Sequence, residues 1–238
     1  MGFFIMRLSL IDPAGKDRLL IRNPAEYKSG FWQTYYSDGM FCKASSTENK
    51  SFTLESEESA KGILNVSLNH SPLLDGMITT RTDINVWSYN RPIMLIRHRT
   101  TNVTNKSIED LRVYNFMDFD VGGPASYKDD KAVYDPEKGV MIVYDGNPLH
   151  VALSSRPKAD RWEISKPTKL RVDEDSNDLK NNLRLGPEDV ATGLQWNMGN
   201  LEPSESKSVD IVMTSAASLK EVKTLTPEGW SLFDKKIR

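Results

Sequence analysis

Asp118 and Asp120 are the residues whose type and spacing come nearest to acid–base chemistry in this chain. They end the alternating stretch LRVYNFMDFD and are followed by Gly122 and Gly123. On an extended strand, residues two apart share a face, so both carboxylates point the same way. A carboxylate pair can act on a glycosidic bond when it flanks that bond at about 5–10 Å, or it can accept hydrogen bonds from sugar hydroxyls. Two neighbours on one strand approach a ligand from one side, which favours contact over catalysis. The same residues would also serve to end a strand, bonding turn N–H groups or pairing with Arg81, Arg97 or Arg112.

A second constellation lies on two neighbouring long segments: Arg81, Asp83, Arg97 and Arg99 alternate in a way that places them on one polar face. Planar polar groups beside aromatic rings bind sugars, and Trp87, Tyr89, Trp32 and Tyr36 offer such rings. Cross-strand ion pairs on a solvated sheet would produce the same pattern. The candidate ligand contacts are therefore Asp118, Asp120, Arg81, Asp83, Arg97 and Trp87, with no catalytic residue assigned.

Other chemistries find little support. The histidines are His70, His98 and His150, and His98 sits between Arg97 and Arg99, whose charges oppose its protonation. Cys42 is the single cysteine, flanked only by Lys43 among basic residues, and reads as an inert thiol that excludes an intrachain disulfide. Asp173-Glu174-Asp175 reads as a solvated acidic loop rather than a calcium loop. Gly122-Gly123 opens a turn, not a phosphate cradle. Neither a metal nor another cofactor is expected.

The elements that must position these residues are strands. Segments 76–87, 92–104 and 111–120 are long, alternating and consecutive, separated by turn sequences. That pattern predicts antiparallel meanders in a large sheet. Residues 62–70 alternate Ile63, Asn65, Ser67 and Asn69 against Leu64, Val66 and Leu68. Shorter strands are predicted at 131–134, 139–144, 149–155, 161–165 and 169–172, and longer ones at 189–198 and 206–214. Residues 28–50, rich in Gly, Ser and aromatics, read as irregular loop with a short strand or two. Ser218 and Glu221 have capping-box spacing and predict a helix within 215–224. The tail from 225 to 238 carries Trp230 and Phe233 and is expected to dock on the body of one domain spanning 1–238.

Composition sets outer bounds. With 238 residues, 38% hydrophobic and 27% charged, the chain is of ordinary globular type. A net charge of −2 offers no attraction for nucleic acid or an anionic membrane. The N-terminal apolar run lacks a basic leader and a small-residue cleavage site, so a cytoplasmic location is expected. No apolar run approaches the roughly 20 residues that span a bilayer.

Three groups of residues carry a resemblance: Asn102–Asn105 with 111–123; 130–135 with His150-Val151-Ala152-Leu153-Ser154-Ser155; and 186–194 with Gly199-Asn200-Leu201-Glu202-Pro203 and 208–219. Together they resemble the galactose-mutarotase-like supersandwich, and within it the N-terminal β-domain of prokaryotic glucoamylase and glucodextranase-type glycoside hydrolases. The resemblance implies an all-β fold of two large antiparallel sheets with a short C-terminal helix. In the resembled hydrolases an α/α barrel that carries the catalytic carboxylates follows this domain, whereas this sequence ends about one helix beyond it. The implied role is a stand-alone, non-catalytic carbohydrate-associated domain that binds an oligosaccharide or docks on a separately encoded helical hydrolase. The alternatives are a sugar-ring epimerase of aldose 1-epimerase type, which would need a Glu and a His across the ring, and a structural interaction module with no sugar ligand. None of the three histidines matches the epimerase histidine motif.

Overall fold

Alternation along the chain resolves into two stacked antiparallel sheets. The computed structural model describes residues 7–11, 17–22, 29–45, 52–72, 76–123, 125–146 and 148–237. In chain order, β1 (Arg7–Ile11) and β2 (Asp17–Arg22) form a separate hairpin. They are followed by β3 (Gly30–Ser37), β4 (Met40–Ser45), β5 (Phe52–Ala60), β6 (Ile63–His70), β7 (Thr80–Tyr89), β8 (Arg91–Asn102) and β9 (Ile108–Phe119). The second half adds β10 (Asp130–Asp135), β11 (Val140–Tyr144), β12 (His150–Arg156), β13 (Arg161–Ser165) and β14 (Arg184–Glu188). It ends with β15 (Val190–Leu201), β16 (Ser206–Ala216) and the helix α1 (Leu219–Lys236). The large sheet has nine strands in the order β14-β10-β11-β12-β16-β8-β7-β6-β5, and the small sheet five in the order β13-β15-β9-β3-β4.

Side-chain parity decides which face is the core. On β8, Ile96 points to the small sheet and packs with Leu111, Val113 and Trp196. Ile93 and Leu95 have the opposite parity and pack under α1 with Val212, Val222, Leu225, Trp230 and Phe233. The large sheet is thus buried on its inner face over its central strands, with β5 left exposed along most of its length, and on its outer face where the helix lies. Between the sheets a polar clamp fixes their registration. The Gln33 side chain donates to Thr80 Oγ1 at 2.8 Å and accepts from Thr82 and Thr100 at 3.1 Å each.

The structure redraws two predicted regions. Residues 30–45 form a full hairpin instead of irregular loop. Gly30 to Tyr35 of β3 is buried throughout, so no alternation marks it. Phe31 and Tyr35 face the large sheet, while Trp32 packs with Leu170 and Val172 on the other side. Asp38 and Gly39 adopt φ of 50° and 76°, the two positive-φ positions of a tight hairpin turn. The segment predicted as a strand at 169–172 instead follows a 3-10 turn, Pro167–Lys169, and helps to cover the small sheet's outer face.

The C-terminal helix is one continuous element that takes in most of the expected tail. Ser218 caps it by accepting from the Glu221 N–H at 3.2 Å, and the helix runs through Pro227 to Lys236. An interior proline normally breaks a helix; here the buried stripe of Val222, Leu225, Trp230 and Phe233 holds both halves on the sheet. Gly229 is the point of closest approach, since a Cβ there would sit well inside van der Waals contact with Val212 Cγ1. Gly229→Val should therefore lower stability by about 1–3 kcal/mol through overpacking, despite removing a helical glycine. A urea titration reads this as a lower midpoint with unchanged slope.

Candidate binding face

The outer face of the nine-stranded sheet changes character where α1 ends. Along β8 the outward positions run Ile93, Leu95, Arg97, Arg99 and Thr101, passing from helix-covered to open. Strand register turns this polar run into three rungs across five strands. Glu58, Asn65, Asn85, Arg97 and Asp210 lie side by side. The next rung is Ser56, Ser67, Asp83, Arg99 and Ser208, and the third is Thr53, Asn69, Arg81, Thr101 and Ser206. Every member is polar. A depression of about 410 Å³ opens on this face, lined by Ser56, Glu57, Glu58, Asn65, Val66, Ser67, Asp83, Asn85 and Arg99.

Hydrogen bonds along the rungs hold the polar groups in place. Asn85 Nδ2 donates to Asn65 Oδ1 at 2.8 Å, and Asn65 Nδ2 donates to Glu58 Oε2 at 3.2 Å. Ser67 donates to Asp83 Oδ1 at 2.6 Å, while Arg81 Nε lies 3.6 Å from the same oxygen. Arg97 grips Asp210 with both Nε and Nη2 at 2.7 Å, and these bonds raise its pKa. Such a bidentate pair fixes orientation as well as charge. Trp87 closes the end of the face nearest the helix. Its ring meets Phe233 edge-on at 5.8 Å, and Lys236 Nζ stands 5.8 Å from its centre.

The structure brings together four of the six candidate residues, Arg81, Asp83, Arg97 and Trp87, and separates the other two. Asp118 lies on β9 of the small sheet and is 7% exposed; its N–H donates to Ser29 Oγ at 2.9 Å. Asp120 follows the end of β9, and its N–H donates to the Leu20 carbonyl at 2.9 Å. The arginines considered as their partners are engaged elsewhere: Arg81 with Asp83, Arg97 with Asp210, and Arg112 with Asp110 and Asp178. Sequence reasoning missed Ser206, Ser208 and Asp210, which complete the rungs. Their alternation on a predicted strand was visible, but the pairing of β16 with β8 was not.

Asp130 is a strongly perturbed acid. It is 0% exposed at the start of β10, its Oδ2 accepts from the Val121 N–H at 3.3 Å, and its Oδ1 has no hydrogen-bond partner. Burial pushes its pKa up to about 9, with Asp145, Asp120 and Asp189 adding repulsion.

The histidines sit apart from the polar face. His98 points inward, stacked on Phe31 at 4.6 Å, and burial lowers its pKa to about 3. The flanking arginines, suspected as the cause, point outward from the other side of the strand. His70 accepts from or donates to Tyr35 Oη at 2.7 Å, and burial lowers its pKa to about 4. His150 stacks on Tyr144 at 5.4 Å near the far end of the large sheet. Burial raises the pKa of the Cys42 thiol. Among the described residues, no three His, Cys, Asp or Glu side chains come together as metal ligands, and no helix is long and apolar enough to cross a membrane.

The helix-covered large sheet stacked on the small sheet makes a sandwich whose fold is shared with galactose-mutarotase-like structures. No family model and no curated protein matches the sequence. Solved structures with the same fold are at the limit of sequence likeness. A GalM/aldose epimerase homologue from C. elegans superposes with a TM-score of 0.58 at 11% identity, over 90% of this chain and 93% of that one. A bacterial glucoamylase complexed with acarbose gives a TM-score of 0.54 at 11% identity, covering 89% of this chain but 29% of its own. A polysaccharide lyase gives 0.61 at 11% identity, covering 95% and 32%. The chain therefore spans nearly all of the first and about a third of the other two.

Proposed function

We propose that this protein binds an oligosaccharide on the outer face of its nine-stranded sheet, as a carbohydrate-associated module rather than a catalyst. The observation that carries the proposal is the set of three polar rungs bordering the depression. A sugar ring offers hydroxyls that donate and accept at fixed spacing. Amides, carboxylates and guanidinium groups two residues apart on neighbouring strands offer complementary partners, already oriented by their own hydrogen bonds. Asp83 is the central acceptor, with Asn85, Arg81 and Arg97 beside it and Trp87 bounding the end near the helix.

A non-catalytic role is supported by the position of the proton-transfer groups. Epimerisation needs an acid and a base on opposite sides of a ring. His70 and His98 face the space between the sheets, and His150 lies at the far end. The partial coverage of the glucoamylase chain supports a second reading, in which the module also docks on a separately encoded helical hydrolase; co-purification with such a subunit would bear this out.

Asp83→Ala removes a charged acceptor whose bond to a hydroxyl contributes about 1.5–3 kcal/mol. Calorimetry should show affinity for a bound oligosaccharide falling by roughly 10- to 100-fold, with the thermal midpoint close to that of the parent. Anomer exchange followed by NMR should proceed at the rate of buffer alone. Absence of binding to any member of a broad glycan array would overturn the proposal, as would accelerated anomer exchange for its non-catalytic part.

A further inference from the structure

We infer that the proposed sugar face is built for an acidic oligosaccharide, with Arg99 as the group that takes a uronate carboxylate. The inference rests on the reading of this face as a sugar site and narrows it to a substrate class. Arg99 is exposed on the wall of the depression and makes no hydrogen bond or ion pair among the described residues. Its position makes that notable. Asp83 sits directly across from it in the register, where opposite charges ordinarily pair. Yet Asp83 is turned the other way, accepting from Ser67 at 2.6 Å and facing Arg81 Nε at 3.6 Å.

Compare Arg97, one rung away on the same strand and face. It is neutralised by a two-point grip on Asp210. The residue across from Arg99 on β16 is Ser208, a hydroxyl in place of an acid. One arginine of the face is thus closed off and the next is left with its whole fork open. Arg81 adds a second, partly exposed cation to this side of the face, its Nε 3.6 Å from Asp83 in an ion pair without a hydrogen bond. A planar guanidinium with a free fork matches a carboxylate two-point, a geometry that a neutral hydroxyl cannot use.

Of the three acids of the depression, Asp83 is turned to Ser67 and Arg81, and the other two are too distant to cancel this pole. Glu57 and Glu58 belong to β5, three strand spacings from β8 and so roughly 14 Å away. Glu58 is held by Asn65 at 3.2 Å. That distance exceeds a Debye length of about 8 Å at physiological salt. The face is therefore polarised, with hydroxyl-binding amides in its middle and its open cation at the β8 side.

The test pairs one ligand with its neutral twin. A short oligouronate and the same oligosaccharide with its carboxyls reduced to alcohols are titrated calorimetrically into the full chain and into Arg99→Gln and Arg99→Lys. The parent should bind the oligouronate at least about tenfold more tightly than the reduced form. Arg99→Gln should erase that preference, and Arg99→Lys should retain only part of it, because a point charge lacks the fork. Unchanged thermal midpoints guard against misfolding. Equal affinity of the parent for both ligands overturns the inference and leaves the sugar-face reading standing. A preference that survives in Arg99→Gln also overturns it. Failure of every oligosaccharide to bind removes the underlying reading itself.

Discussion

Replacing Asp130 by asparagine should make the protein more stable at neutral pH, by a few kcal/mol. The side chain is fully buried, and burial pushes its pKa from 3.8 up to about 9. Its folded form is therefore protonated at pH 7, whereas the unfolded chain is ionised. The sign follows from linkage: with the folded pKa raised, the stability contribution is complete below pH 3.8 and drains away as pH rises towards 9. Each pH unit in that window is worth about 1.36 kcal/mol, so about three units separate pH 4 from pH 7 and about 4 kcal/mol is lost between them. Asparagine has the same shape, can still accept from the Val121 N–H, and has no proton to release. Urea titrations should find the variant gaining on the parent from pH 4 to pH 7, with the shift still growing at pH 8. Because a buried amide N–H without a partner costs stability at every pH, the change of the gap with pH is the decisive reading: a gap that does not move in the variant's favour between pH 4 and pH 8 would show that Asp130 is charged in the fold.

The legible part of this molecule was its local alternation. The long segments at 76–87, 92–104 and 111–120 become β7, β8 and β9, and their period of two already placed Arg81, Asp83, Arg97 and Arg99 on the face opposite Thr82, Ile84, Ile96 and His98. Half of the candidate face was therefore readable. What stayed hidden depends on contacts between distant parts of the chain. Asp118 shares a strand face with Arg112 and Tyr114 as its pattern says, yet Tyr114 and Phe116 beside it pack under Leu170, Val172 and Leu179, a cover contributed some fifty residues later. Alternation reports which residues share a side and not whether that side meets water. The 30–45 hairpin failed for the converse reason: with both faces buried, it has no alternation to report. Its turn was still marked, because Asp38-Gly39 between aromatic residues is a hairpin signal in its own right. Nothing in the residues around Asp130 marks it as the acid that would be buried without a full set of partners.

The same linkage reasoning sets an acid limit on stability, and its sign is opposite. His98 and His70 have pKa values lowered by burial from 6.5 to about 3 and about 4. Both are neutral in the fold at pH values where the unfolded chain is already protonated. A histidine with a depressed folded pKa loses its stability contribution as pH falls below 6.5, by about 1.36 kcal/mol per unit for each group. Over the two units from pH 6.5 to 4.5 the pair should withdraw about 5 kcal/mol. Asp130 works against them in this range, regaining stability at about half that rate as pH falls. Above pH 6.5 the histidines are silent and Asp130 alone acts, so these three groups together place a stability maximum near pH 6.5 with a slope of about 1.4 kcal/mol per unit on each side. Asp130→Asn should flatten the alkaline limb and double the steepness of the acid limb. His98→Leu, which keeps an apolar contact for the Phe31 ring, should halve the histidine contribution on the acid side and leave the alkaline limb unchanged. Differences between variants and parent isolate each group from the remaining carboxylates. If His98→Leu left the acid limb as steep as in the parent, the imidazole would have to be reaching solvent, and the stacking that buries it between the sheets would not persist in solution.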